Sequence, residues 1–151
     1  MDNQYTNQLA TFINDIRGML PENSRELLLG GSGSQLTGTQ GHVLMLLADT
    51  PAMTNGELAK ALSVSQAAVT KAMRGLSTAD PALAVATVDA RDARVKAWSL
   101  TDAGQSYAAA HRQRHAETAA AYAEILDEFS ESEQATISRF LTVLLKRLQE
   151  E

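Results

Sequence analysis

The chain has three histidines, His42, His111 and His115, and the type and spacing of the last two could bind a metal ion. His111 and His115 lie four residues apart in an alanine-rich segment that predicts a helix, so their imidazoles share one face about one turn apart. Two imidazoles at that separation suit Zn²⁺, which binds histidine nitrogen at roughly 2.0–2.1 Å. A histidine pair on an exposed helix is also common without a metal. The residues alone therefore leave two interpretations open, a metal site and the polar lining of a cleft.

The same pair has the spacing of a metalloprotease motif but lacks the general base of that motif. A glutamate should follow the first histidine, and Arg112 occupies that position here. The chain has no cysteine, which excludes a thiol nucleophile, a thiolate metal ligand, a disulfide and oxidation sensing through a thiol. We therefore expect a binding protein rather than an enzyme, in a reducing cytoplasm.

Apolar residues at helical spacing, preceded by capping residues, predict a mainly α-helical chain with a small β hairpin. The predicted helices span about 3–29, 37–48, 55–62, 65–76 and 101–129, and a last one is opened by Ser130 and Glu133. Pro21 should kink the first helix or begin a second one, Glu22–Leu29. The expected caps are Thr37 or Thr39 for 37–48, Ser65 for 65–76 and Thr101 for 101–129. A glycine-rich loop, Gly30–Ser34, follows the first helical segment. Two strands, Leu83–Val88 and Val95–Leu100, flank a charged loop.

Residues 55–76 have the pattern of a helix–turn–helix. Ala59 allows the two helices to cross closely, and Val69, Met73 and Leu76 give the second helix a buried face. The opposite face would carry side chains that can read base edges in the major groove or contact phosphates, although a solvated helix pair shows the same pattern. These candidate DNA-binding residues are Ser65, Gln66, Ala67, Thr70, Lys71 and Arg74.

The charged loop from Asp89 to Arg94 places two arginines at the tip of the predicted hairpin. Arg91 and Arg94 are candidates for the minor groove, whose negative potential attracts arginine. The aspartates would repel phosphate unless they were paired, and we expect Asp92 to pair with Arg94. The net charge is −5, but residues 54–99 hold six basic and four acidic side chains, whereas the rest of the chain holds seven and fourteen. The distribution of charge thus favours DNA contact through the centre of the chain.

The chain resembles the MarR family of winged-helix regulators over nearly its whole length. The resemblance rests on the segment Leu58–Lys71 and on the Asp-x-Arg-Asp-x-Arg pattern of residues 89–94. It implies an intertwined homodimer in which each protomer places one helix on half of a pseudo-palindromic operator in double-stranded DNA. The expected division is a dimerisation helix and loop in residues 1–36, a winged helix–turn–helix in 37–100, and long helices for dimerisation and metal binding in 101–151.

Two segments, Arg25–Gly30 and Gln35–Leu47, resemble the zinc-sensing branch of this family, the adhesin-competence repressors of streptococci and lactococci. The resemblance implies a primary zinc site made of one glutamate and three histidines, and the matching positions are Glu26, His42, His111 and His115. Glu22 or a water molecule is an alternative to Glu26. The implied function is a repressor of zinc-uptake genes that needs zinc to bind DNA.

The branch also has a second, weaker zinc site, whose matching positions here keep no strong ligand: Ser32, Gly41 and Ala110. We therefore expect one zinc ion per protomer. The alternative hypothesis is a MarR-type regulator that leaves DNA when a small aromatic or amphipathic molecule binds, without a metal. The longest unbroken apolar run, Val43–Ala48, is far shorter than the roughly 20 residues that span a bilayer, so no membrane partner is expected.

Overall fold

The computed structural model describes residues 4–19 and 36–150, and it confirms the predicted fold class of a mainly helical chain with a small sheet. Several predictions lie outside the described residues: the role of Pro21, the helix Glu22–Leu29, the loop Gly30–Ser34, the metal ligand Glu26 with its alternative Glu22, and the lost-ligand position Ser32. The elements are α1 Gln4–Met19, α2 Gly38–Asp49, β1 Met53–Thr54, α3 Asn55–Leu62, α4 Gln66–Thr78, β2 Ala84–Val88, β3 Lys96–Leu100, α5 Asp102–Asp127 and α6 Glu131–Gln149.

Side-chain oxygens cap the helices where the sequence predicts it. Thr37, rather than Thr39, caps α2, and Ser65, Thr101 and Ser130 cap α4, α5 and α6. Each accepts a hydrogen bond from the backbone N–H three residues later, which satisfies one of the donors that a helix leaves open at its start. These local bonds explain why the predicted starts agree with the observed ones.

A three-stranded antiparallel sheet with the order β1-β3-β2 lies beside helices α2 to α4. The predicted hairpin is confirmed, since Ala84 pairs with Leu100 and Val88 pairs with Lys96. The two-residue strand β1 was not predicted. It is a strand because Met53 pairs with Trp98 of β3. The sequence does not reveal it, because two residues are too few to show an alternating pattern. We call β2, β3 and the loop 89–95 the wing.

The hydrophobic core lies between α2, α3 and α4 and extends to the first strand of the wing. The predicted inner face of α4 is confirmed, because Val69, Met73 and Leu76 are buried, and Ala59 of α3 is buried where the helices meet. The other large core side chains that are almost completely buried come from α2 and α3: Val43, Leu44, Leu47 and Leu58. This core holds α2 against α4, which matters for the site described below.

The terminal helices lie outside this core. Neither α1 nor α6 has a buried residue, and apolar side chains of both helices line a groove of about 650 Å³ that includes Phe12 and Phe140. The terminal helices therefore present a large apolar surface that one protomer leaves uncovered.

Within the described parts of the chain, no helix has both the length and the apolar content needed to cross a membrane.

Candidate metal centre and nucleic-acid interface

The structure brings together the three histidines of the chain. His42 comes from the middle of α2, and His111 and His115 come from consecutive turns of α5. The Nε2 atom of His115 lies 3.2 Å from Nε2 of His42 and 3.1 Å from Nε2 of His111. His111 is buried and the other two are half-buried. Residues that are about 70 positions apart in sequence thus form one cluster of nitrogen ligands.

The spacing of these nitrogens fits one tetrahedral metal ion. Two nitrogens that each lie about 2.0–2.1 Å from a tetrahedral ion are about 3.3 Å apart. The two observed separations are close to that value. An imidazole nitrogen offers either one proton or one lone pair, so His115 Nε2 cannot make two ordinary hydrogen bonds to both neighbours. The donor set and its spacing therefore suit a cation better than a chain of hydrogen bonds.

Gly41 allows the buried His111 ring to lie directly against α2. A Cβ atom at Gly41 would lie 2.5 Å from Nε2 of His111, which is far inside van der Waals contact. The His111 ring thus occupies space that a side chain at position 41 would fill, next to His42 on α2. Position 41 was singled out in the sequence only as a lost ligand, and its packing role was missed.

Arg112 forms a second link between α5 and α2. Its Nη2 atom donates to Oδ1 of Asp49 at 2.8 Å, at the last residue of α2. The ion pair is exposed on both sides, so its contribution to stability is small. Arg112, which is adjacent to His111 in sequence, thus has its ion-pair partner at the end of α2.

The outward face of α4 is exposed along its length, as predicted. All six candidate residues on this face are exposed to solvent: Ser65, Gln66, Ala67, Thr70, Lys71 and Arg74. A chain of two hydrogen bonds connects Thr70 to the wing. Asn55 Nδ2 donates to Oγ1 of Thr70 at 3.3 Å, and Asn55 Oδ1 accepts from the Trp98 indole N–H at 2.7 Å. Asn55 and Trp98 were not singled out in the sequence, where no local signal connects them to Thr70.

The wing contains two aspartate–arginine pairs. The expected pair of Asp92 with Arg94 is confirmed, with Nε and Nη2 of Arg94 both 3.1 Å from the carboxylate oxygens. Asp89 binds Arg91 in the same way, and Arg91 Nη2 also donates to Oε1 of Glu57 in α3. The hydrogen bonds from Arg91 lower the pKa of Asp89 to about 2. The bond to Glu57 was missed because 34 residues separate the partners.

The three helices α2 to α4, followed by a hairpin beside an exposed helix, define a winged-helix protein. Comparisons with known proteins agree with this fold, and residues 36–79 match the model of the MarR family. Transcriptional regulator AdcR of Streptococcus pyogenes serotype M6 is 42% identical to the chain over 130 residues, which cover 85% of this chain and 86% of AdcR.

Solved structures extend the similarity over almost the whole chain. The structure of ZitR, a zinc-responsive MarR family member from Lactococcus lactis, has a TM-score of 0.79 at 38% identity and covers 95% of this chain and 99% of ZitR. Wild-type ZitR in complex with DNA gives a TM-score of 0.80 at 37% identity and covers 98% of this chain and 99% of ZitR. The chain belongs to the MarR family.

Proposed function

We propose that this protein is a zinc-dependent repressor that binds a pseudo-palindromic operator in double-stranded DNA as a homodimer and controls zinc-uptake genes. The observation that carries the proposal is the cluster of three imidazoles from α2 and α5, in which Nε2 of His115 lies from Nε2 of His42 and of His111 at distances that fit one tetrahedral ion. AdcR is named a transcriptional regulator, and ZitR is described as zinc-responsive and as forming a complex with DNA. These relatives support extending the same function to this chain.

The proposed ligands are His42, His111, His115 and Glu26, of which the last lies outside the described residues. Zn²⁺ bound there would act as a Lewis acid that holds imidazoles of α2 and α5 together. Three imidazoles and a carboxylate fill a four-coordinate site, which is typical of structural and sensing zinc rather than catalytic zinc. Since the ligands would come from separate segments, occupancy of the site limits the relative movement of those segments.

Helix α2 is the element that could transmit this restraint to DNA. It packs against α5 through the histidines and against α4 on another side, where the side-chain amide of Gln40 fills the space beside Gly75. Fixing His42 relative to α5 therefore limits how α4 can be oriented. If that orientation matches successive major grooves of the operator, occupancy of the histidine cluster selects the DNA-binding arrangement.

The DNA-binding surface is proposed to consist of the exposed face of α4 and the tip of the wing. The candidate residues are the cap Ser65 and, on α4, Gln66, Ala67, Thr70, Lys71 and Arg74, together with Arg91 and Arg94 of the wing, which act by direct contact or by positioning the wing. The terminal helices would join two copies, so that two α4 helices read the two halves of the operator.

The first test is the metal content of protein purified without a chelator, measured together with DNA binding before and after addition of EDTA. We expect about one zinc ion per protomer and loss of operator binding on chelation. Zinc-free protein, or operator binding that is indifferent to EDTA, would contradict the proposal. That outcome would instead support the alternative MarR-type regulator whose ligand is an organic molecule.

The His42→Ala variant tests the ligand set directly. We expect zinc affinity to fall by more than about 100-fold, because even the loss of a residue that only supports a ligand costs roughly 10–100-fold. Zinc-dependent DNA binding should disappear while the dimer stays folded. Gln113→Ala is the control, since Gln113 is exposed on α5 and bonds Glu117 on its own helix. An unchanged zinc titration of His42→Ala would rule out the proposed site.

A further inference from the structure

The two arginines of the wing have the same local structure. In each case the backbone N–H of the arginine donates to Oδ1 of an aspartate two residues earlier, at 2.7 Å for Arg91 and 3.0 Å for Arg94. The guanidinium of each then donates through Nε and Nη2 to the two oxygens of that aspartate. The sequence pattern Asp-x-Arg-Asp-x-Arg is thus one motif used twice in succession.

The surroundings of the two pairs differ. The Asp89 side chain is 7% exposed, whereas the Asp92 side chain is 40% exposed. Arg91 extends across to Glu57, while Arg94, which is 89% exposed, has Asp92 as its ion-pair partner within the described residues. Arg91 is therefore shared by two carboxylates from different elements, and Arg94 stands at the solvent-exposed tip of the wing.

Glu57 connects this cluster to the start of the helix–turn–helix. Its other oxygen, Oε2, accepts the backbone N–H of Thr54 at 2.9 Å in the capping box of α3. Thr54 also belongs to β1, which pairs with β3 of the wing. The loop of the wing is thus tied to α3 at Glu57, and its strand β3 is tied to the residue that caps α3.

We propose that Arg91 is a positioning residue that fixes the wing relative to α3 and α4, and that Arg94 alone supplies the wing's contact with DNA. The proposal rests on the DNA-binding function proposed above and divides between two residues a role that the sequence assigns to both. We call Glu57, Asp89 and Arg91 the Arg91 cluster.

The charges of the Arg91 cluster favour this division. Two carboxylates contact the guanidinium of Arg91, whose side chain is otherwise 70% exposed. Both carboxylates have a pKa below the usual value, Glu57 mainly through the N–H of Thr54 and then through Arg91. If Arg91 turned to a phosphate, two ionised carboxylates would be left without their cation close to the DNA backbone. Turning Arg94 to DNA releases one exposed carboxylate, Asp92, which water can solvate.

The Glu57→Gln variant distinguishes a positioning role of Arg91 from a DNA contact, because the two roles predict opposite changes in operator affinity. A glutamine keeps the acceptor for the Thr54 N–H but removes the charge that holds Arg91. If Arg91 positions the wing, operator affinity falls several-fold although a negative charge has been removed from the DNA-binding side. If Arg91 instead contacts phosphate, the same variant binds the operator more tightly, and that result overturns the proposal.

The salt dependence of operator binding gives a second measurement on Arg91→Gln and Arg94→Gln, with zinc titration as the check that both variants keep the metal site. In a dimer with the substitution in both protomers, loss of one phosphate-neutralising cation per protomer reduces the magnitude of the slope of log K against log salt by about 1.8, which is about 0.9 for each contact. We expect such a decrease for Arg94→Gln, and for Arg91→Gln a weaker affinity with an unchanged slope. Equal decreases of the slope in both variants overturn the proposal.

Backbone hydrogen exchange of the free protein tests the positioning role of Arg91 without DNA. The backbone N–H of Arg91 and that of Asp89, which donates to the Val95 carbonyl, should exchange faster in Arg91→Gln and Glu57→Gln than in the wild type. They should be unchanged in Arg94→Gln. Unaltered exchange in all three variants overturns the positioning role, whereas wild-type protein that fails to bind DNA counts against the proposed function instead.

Discussion

At the scale of single residues, the absence of a side chain at position 41 shapes the histidine cluster. The sequence shows His111 and His115 as a pair because they are four apart on one helix, and that part of the site is readable from spacing alone. No local signal connects His42 with them, and its place in the site was implied only by family resemblance. The structure adds the physical reason for the contact, since Gly41 lets the His111 ring lie against α2.

Gly41→Ala should therefore weaken zinc binding without removing a ligand. The added methyl group would overlap the buried ring of His111, so the ring must leave the position from which its Nε2 faces His115. We expect zinc affinity to fall by about tenfold or more, in the range of losses seen when a supporting residue is removed. Competition with a chromophoric chelator measures it.

Gly56→Ala is the matched control for this substitution. Gly56 is also a helical glycine, and a Cβ atom there would have its nearest neighbour at 3.8 Å, which is ordinary contact. Its zinc affinity should equal that of the wild type. Equal affinities for both variants and the wild type would show that the His111 ring does not need the space at residue 41.

At the scale of elements, the sequence predicts what local bonds determine and misses what distant contacts determine. The starts of α4 and α5 follow from Ser65 and Thr101, because a capping side chain acts within three residues. Strand β1 was missed because its pairing with β3 lies more than 40 residues away. For the same reason the bond between Glu57 and Arg91 has no signature in either segment.

The junction between the wing and α5 depends on Gly104, in the first turn of α5. A Cβ atom at this position would overlap the carbonyl oxygen of Leu83 and would lie 3.0 Å from its carbonyl carbon. That carbonyl oxygen also accepts the backbone N–H of Thr101, the residue that caps α5. The obstacle is backbone rather than the end of a flexible side chain, so α5 could accommodate a methyl group only by shifting.

Gly104→Ala should accordingly destabilise the fold despite the higher helix propensity of alanine. Overpacking of this kind costs about 1–3 kcal/mol, which corresponds to a decrease in Tm of about 2–4 °C per kcal/mol for a chain of this size. Thermal unfolding followed by circular dichroism gives the value. In Gly18→Ala, where a Cβ atom meets nothing within 4 Å, Tm should stay the same or rise slightly. A Gly104→Ala protein as stable as Gly18→Ala would refute the close approach.

At the scale of the whole molecule, the surface divides into a charged centre and apolar ends. The exposed face of α4 and the wing carry Lys71, Arg74, Arg91 and Arg94, whereas α1 and α6 expose large apolar side chains along the groove between them. On α6 these apolar residues recur at helical spacing, and Phe140, Leu141 and Leu145 are each about half exposed. A contiguous apolar surface of this kind indicates a protein interface. Membership of the MarR family supports a second copy of this chain as the partner that covers this surface.

Phe140→Glu tests whether the groove is the dimer interface that DNA binding requires. Phe140 is about half exposed, so covering it in both protomers removes apolar surface worth about 1.5–3 kcal/mol per dimer from water, and a carboxylate there would also have to be desolvated. The dissociation constant of the dimer should therefore rise by more than about 100-fold in sedimentation equilibrium, with loss of operator binding at the same protein concentration. Arg139→Glu makes a larger change of charge on the opposite face of α6 and should leave both measurements unchanged. A Phe140→Glu protein that remains dimeric would place the interface elsewhere, and monomers that still bind the full operator tightly would separate DNA binding from dimerisation.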